Sequence, residues 1–142
     1  MKKSLYILSA VLLLMLGSCA KEADHAIVGQ WNLTDMELHT KSAQIGDQTI
    51  DVYIDFKKDG TYEMYQMIGQ GRYQYFKGAY KIAGELLSGN YIELNSIRNW
   101  GNSYNIQVNK DELIMTATIN SSDVYNYTRC TIPEDVIRQA KL

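Results

Sequence analysis

Between Ile27 and Thr131 the chain alternates short β-compatible runs with turn residues, and no connection between runs has the length of a crossover helix. Parallel strands need such crossovers, whereas antiparallel strands need only turns, so the pattern dictates an antiparallel meander. The clearest run is Thr49–Phe56, where Ile50, Val52, Ile54 and Phe56 alternate with Asp51, Tyr53 and Asp55. That period of two marks a half-buried strand. Lys57-Lys58-Asp59-Gly60 reverses the chain, with Gly60 free to take positive φ. Thr61–Met67 returns with Tyr62 and Met64 on one face and Thr61, Glu63 and Tyr65 on the other.

Gly29–Leu38 precedes these runs, and Arg72–Ile82, Leu86–Leu94, Ser103–Val108, Glu112–Ile119 and Val124–Thr131 follow them. Within Leu86–Leu94, Gly89-Asn90 marks either a bulge or a break. The count is eight strands, enough to close into an up-and-down barrel with no exposed edge. A sandwich of the same strands is the alternative. One proline and eleven tyrosines suit long pleated strands. Thr131-Ile132-Pro133-Glu134 has capping-box spacing and predicts one short C-terminal helix, packing Val136, Ile137 and Ala140 on the barrel.

The N-terminus has a different character. Lys2 and Lys3 precede an apolar run, Leu5–Leu16, too short to span a bilayer as a mature helix, and Leu16-Gly17-Ser18-Cys19 closes it. These four residues resemble the lipobox of bacterial lipoproteins. The resemblance implies cleavage before Cys19, acylation of its thiol and new amine, and a stable membrane anchor, since several acyl chains hold where one does not. The expected organisation is a lipoprotein signal peptide over 1–18, a lipidated tether over 19–26 and a β-barrel domain over 27–142. Lys21 and Glu22 resemble the charged signals that direct some Gram-negative lipoproteins outward. They suggest an outer-membrane anchor in the cell envelope, periplasmic or surface-exposed.

Lys and Arg number 14 against 16 Asp and Glu, and removal of Lys2 and Lys3 widens the acidic excess by two. A mildly acidic chain without basic clusters argues against nucleic acid, which needs grouped cations to neutralise phosphate. Acylation of Cys19 leaves Cys130 alone, so the mature domain is held by its core without a disulfide.

Gly29-Gln30-Trp31 at the start of the first strand resembles the G-x-W element of lipocalins. In that family a basic residue on the last strand lies across the Trp ring and closes the barrel, and Arg129 stands in the fitting place. An Arg plane stacks on indole while its N–H groups cap loose carbonyls. The phrases Asp59-Gly60-Thr61-Tyr62 and Gly78-Ala79-Tyr80-Lys81-Ile82 resemble the small lipocalin-like domains of bacterial lipoproteins. The resemblance covers about Ile27–Ile132 and implies a ligand-binding barrel. This chain is shorter than typical secreted lipocalins and lacks their disulfides and long C-terminal helix. A barrel filled by its own side chains is therefore the alternative.

No constellation for catalysis emerges. Asp35, Glu37 and His39 share a strand face, a pattern that a cation site and an ordinary solvated face produce equally, and the solvated face is the reading adopted. Asp51 and Asp55 also share an outward face, without a cleft between them. There is no nucleophile elbow, phosphate loop or Cys-His metal cluster. No cofactor and no metal are expected, and the chain is not read as an enzyme.

Inward positions include Tyr62, Met64, Tyr80, Tyr104, Met115, Tyr125 and Tyr127, an apolar lining with several hydroxyls that suits a small, partly apolar ligand. These seven are the candidate ligand-binding residues, with Trp31 and Arg129 closing the barrel. Tyr53, Tyr65, Tyr73 and Tyr75 face outward and suit a protein or glycan contact. The leading expectation is sequestration of a small ligand without catalysis. The alternative is a solid barrel that docks another envelope protein.

Overall fold

The computed structural model describes residues 26–37 and 49–142. The expected signal peptide, Cys19, most of the tether and His39 lie outside the described residues. Nine strands are present among the described residues: β1 (Gly29–Glu37), β2 (Ile50–Phe56), β3 (Thr61–Ile68), β4 (Gln74–Ala83), β5 (Leu86–Glu93), β6 (Ser96–Asn99), β7 (Tyr104–Val108), β8 (Glu112–Ala117) and β9 (Val124–Arg129). A helix, α1 (Glu134–Ala140), follows. Eight of the strands close into one antiparallel ring in the order β4-β3-β2-β1-β9-β8-β7-β5, with β5 returning to β4. The ring is the barrel expected from the meander, not the sandwich.

The ninth strand, β6, pairs with β5 alone. Gly89-Asn90 is neither a bulge nor a break in the strand but the point where β5 changes partners. Leu86–Gly89 pair with β4, Leu86 and Leu87 also with β7, and Asn90–Glu93 with β6. All four β6 residues are exposed, so this strand has no alternation to reveal it.

The period of two in β2 converts directly into packing. Val52, Ile54 and Phe56 are buried while their neighbours are half-exposed, and they join Tyr62, Tyr80, Leu87, Ile106, Leu113, Met115 and Tyr127 in the barrel interior. At one end of the barrel Trp31 is wholly buried and its Nε1 donates to the Ile27 carbonyl at 2.8 Å. Arg129 lies across it, the guanidinium carbon 4.0 Å from the ring centroid. Arg129 also donates to the carbonyls of Ala26 at 2.9 Å, Val28 at 3.0 Å and Lys110 at 2.5 Å. Gly29 has φ +131°, and a Cβ there would strike Arg129 Nη1. The glycine of the G-x-W element is thus required twice, by its backbone angle and by the arginine against it.

The outer face of β2, β3 and β4 departs from expectation. Tyr65 is buried beneath Ile132 and Val136, and Tyr53, Tyr73, Tyr75, Cys130, Ile137 and Ala140 pack around them. These tyrosines form the seat of α1, with Tyr53, Tyr73 and Tyr75 left half-buried around it. The helix begins later than the capping-box spacing predicts. Pro133, with extended ψ of 139°, occupies the N-cap, and no side chain caps the helix. Ile132 precedes a proline, which disfavours helical backbone, and its N–H is held by Gln30 Oε1 at 2.8 Å.

Beneath the helix Glu63 accepts from Tyr75 at 2.6 Å and Tyr65 at 3.1 Å, and pairs with Lys57 at 3.1 Å and Lys141 at 3.4 Å. Burial raises the carboxyl pKa, but the bonds from Tyr75, Lys57 and Tyr65 and the charge of Lys141 outweigh it and hold it at about 2. A carboxylate depressed in the folded state contributes stability above its ordinary pKa and loses it as pH falls through the folded value. The urea midpoint should therefore drop between pH 4.5 and 2, and Glu63→Gln should flatten that drop. Trp31→Ala should cost about 3–5 kcal/mol in urea unfolding at pH 7, the penalty for emptying a large buried aromatic site.

Candidate functional site

Away from the Trp31–Arg129 end, the side chains do not fill the lumen. Two adjoining lobes remain. One, of ≈ 100 Å³, is bounded by Ile54, Phe56, Tyr62, Met64, Trp100 and Tyr104, among others. The other, of ≈ 300 Å³, lies toward the opposite end against Leu33, Met36, Ile50, Val52, Gln66 and Tyr125. Met64, Tyr91, Tyr104, Met115 and Tyr127 border both lobes. The larger lobe is at the lower bound of small-molecule sites, which run roughly 300–1,000 Å³.

Strand geometry explains which side chains arrive there. Tyr125 and Tyr127 are two apart on β9 and both point inward, set by register against Met36 and Leu33 of β1. Met115 faces Tyr125 across β8–β9, and Tyr104 stands opposite Leu87 and Ala117. Of the seven residues expected to contact ligand, Met64, Tyr104, Met115 and Tyr127 border both lobes, Tyr62 the smaller and Tyr125 the larger. Tyr80 borders neither. It is buried edge-on to Phe56 at 5.0 Å and donates to the Lys57 carbonyl at 2.8 Å, so it belongs to the packed floor.

Sequence reasoning overlooked two aromatic residues. Trp100 follows β6 in a polar stretch that reads as a turn, yet it folds back against the wall. Its backbone N–H donates to Gly89 and its Nε1 to the Tyr62 hydroxyl, each at 2.9 Å. Tyr62 in turn donates to the Asn90 carbonyl at 2.9 Å. The indole sits edge-on to Tyr62 and Tyr104, with centroids 5.3 and 6.1 Å away. Gly89 makes this fit, because a Cβ there would lie 2.6 Å from Trp100 Cζ2. Tyr91, on the half of β5 that pairs with β6, reaches the lumen and packs edge-on to Phe76 at 5.9 Å. The unexplained Gly89-Asn90 pair was the signal available for both.

The described lining of the lumen is uncharged. No charged side chain of the described residues borders either lobe. Burial pushes the Tyr62 hydroxyl up to about 12, although donation from Trp100 offsets part of the rise. Burial, then the nearby Tyr125, Tyr91 and Asp123, pushes Tyr104 up to about 12. Tyr127 is raised further, by burial and by Tyr104, Tyr125 and Tyr91 around it, and Tyr125 is raised by burial and Asp123. All four are neutral phenols at physiological pH, able to bury apolar surface and to form hydrogen bonds.

The acidic groups stand elsewhere. Asp35 and Glu37 are exposed on β1, and among the described residues no three His, Cys, Asp or Glu side chains converge. Asp51 is engaged on the outer face by Asn32 at 3.0 Å and Tyr73 at 2.5 Å, and Asp55 by Gln30 at 3.4 Å.

Residues 27–126 match the family model described as a lipocalin-like domain. No curated protein matches the sequence. Among solved structures the chain is similar to Echinococcus granulosus fatty-acid-binding protein 1, at 11% identity over 75% of this chain and 99% of that one, with a TM-score of 0.44. It is also similar to a Schistosoma mansoni fatty acid binding protein in complex with arachidonic acid, at 15% identity over 75% and 97%, with a TM-score of 0.43.

The Trp100 arrangement is open to a direct check. Gly89→Val should expel the indole from the wall and shift part of the tryptophan emission to the red, while Trp31, at the far end, keeps its buried spectrum. Unchanged emission would show that the wall accommodates the side chain with Trp100 in place.

Proposed function

Since the chain belongs to the lipocalin-like domain family, we propose that it is a lipid-anchored protein of the cell envelope that sequesters a small, partly apolar molecule in its barrel, without catalysis. The single observation that carries the binding role is the unfilled lumen, bordered by Met64, Met115 and five tyrosines and by no charged side chain of the described residues. Core side chains normally pack to the density of organic crystals, so space of this size in a small barrel calls for an occupant. Burial of an apolar body against Met64, Met115, Leu33 and Ile50 supplies affinity, and hydroxyls orient the molecule. The anchor rests on Leu16-Gly17-Ser18-Cys19, and the outer-membrane placement on Lys21 and Glu22.

A second reading, docking of another envelope protein, has one observation in its favour. Leu94 and Ile97, beside and on β6, are 102% and 70% exposed. Apolar side chains held out on a projecting hairpin suit a partner better than water.

Mass spectrometry of the full chain, extracted in mild detergent from its own cells, tests both parts. Under native conditions a small molecule should add mass that disappears on denaturation. The denatured chain should begin at Cys19 and carry acyl groups. An empty native protein would remove the sequestration role and leave the docking reading. A denatured mass without acyl groups would remove the anchor.

A further inference from the structure

The described tyrosines divide into two sets by what their hydroxyls touch. Those of Tyr62, Tyr65, Tyr73, Tyr75 and Tyr80 each donate to a named carbonyl or carboxylate, and that of Tyr53 lies near the charge of Asp51. Those of Tyr91, Tyr104, Tyr125 and Tyr127 have no hydrogen-bond partner among the described residues, and these four all border the larger lobe. They are also mutual neighbours. The rings of Tyr104 and Tyr125 are 5.9 Å apart, and Tyr91 and Tyr127 line the same lobe. Among the described residues no buried side-chain polar atom is left without a partner, so these four hydroxyls open onto the accessible space of the lumen, and an occupant that displaces water from it must supply acceptors in the water's place.

We propose that the lumen takes a molecule whose buried end is uncharged and accepts hydrogen bonds, such as a ketone, quinone or ester, with Tyr91, Tyr104, Tyr125 and Tyr127 as donors. This rests on the lumen being a binding site, as proposed above. The neutrality follows from the lining. A carboxylate buried there would meet no Lys, Arg or His of the described residues, and an unpaired buried anion is costly even when hydrogen-bonded. A quaternary cation would find aromatic faces but would leave all four donors without an acceptor. A plain hydrocarbon fills the space and leaves them unpaired as well. Discrimination of this kind is large, because a site built to hydrogen-bond penalises the analogue that lacks the group.

Three naphthalenes of nearly equal shape separate these cases: 2-acetonaphthone, the anion 2-naphthoate and 2-isopropylnaphthalene. Titration calorimetry at pH 7 should find the ketone bound at least tenfold more tightly than either of the others. Tyr104→Phe combined with Tyr127→Phe should bring the ketone down to the hydrocarbon's affinity. The same double variant should leave the melting temperature of the empty protein nearly unchanged, since it deletes two hydroxyls that face accessible space and bond to no other side chain; a folding defect would show as a fall. Naphthoate binding as tightly as the ketone would overturn the neutral-ligand claim. Equal binding of ketone and hydrocarbon would overturn the role of the hydroxyls while leaving the lumen a binding site. Binding of none of the three would remove the lumen reading, and this inference with it.

Discussion

The stack of Arg129 on Trp31 joins the two ends of the domain, and the rest of the barrel depends on that junction. An antiparallel meander becomes a barrel only when its first strand pairs with its last, here β1 with β9. Cys130 is the one cysteine among the described residues and is free, so this closure across almost the whole domain is non-covalent. Arg129 secures it with a cation–π contact and bonds to the carbonyls of Ala26, Val28 and Lys110, which gather the chain before β1 and the turn before β8 around one side chain. Gly29 admits the arginine, and Trp31 fills the floor beneath it. With that end sealed, vacant space collects toward the other end.

Much of this was legible in the residues, for physical reasons that differ by element. In β2 one face meets the core and the other does not, so Val52, Ile54 and Phe56 announce their direction. Gly29, Trp31 and Arg129 were legible because their chemistry is specific enough to be matched at a distance along the chain. The faces of Tyr53, Tyr65, Tyr73 and Tyr75 were also legible, but not what covers them. Alternation reports which side of a sheet a residue takes, and only tertiary contact reveals that α1 lies over it. The start of α1 was misread because local spacing competes with the anchoring of Cys130 and Ile132 to Gln30, and the tertiary contact wins. β6 and Trp100 left almost no trace. A strand exposed at every position has no period, and an aromatic residue between polar neighbours looks like a loop until its niche at Gly89 is seen.

The lumen leaves open both space and hydroxyls that the rest of the described fold has filled or paired. A small barrel is most stable when filled by its own side chains, and Tyr62, Tyr65, Tyr73, Tyr75 and Tyr80 have each found a partner for the hydroxyl. Tyr91, Tyr104, Tyr125 and Tyr127 have not, although they sit on well-formed strands and pack edge-on to neighbours. Departures of this type concentrate where a protein binds something. Met64 and Met115 stand between the lobes, and their flexible, polarisable side chains adapt to occupants of different outline.

Those two methionines give the most direct view of the central claim, that the lumen is a site and not merely a packing fault. The chain carries six methionines, so carbon-13 labelling of their methyl groups yields a short, assignable spectrum. On addition of 2-acetonaphthone the account predicts saturable shifts at Met64 and Met115, smaller ones at Met36 on the border of the larger lobe, and none at Met67 on the other face of β3. Shifts at Met67 with Met64 and Met115 unmoved would place binding on the outside of the barrel and contradict the account.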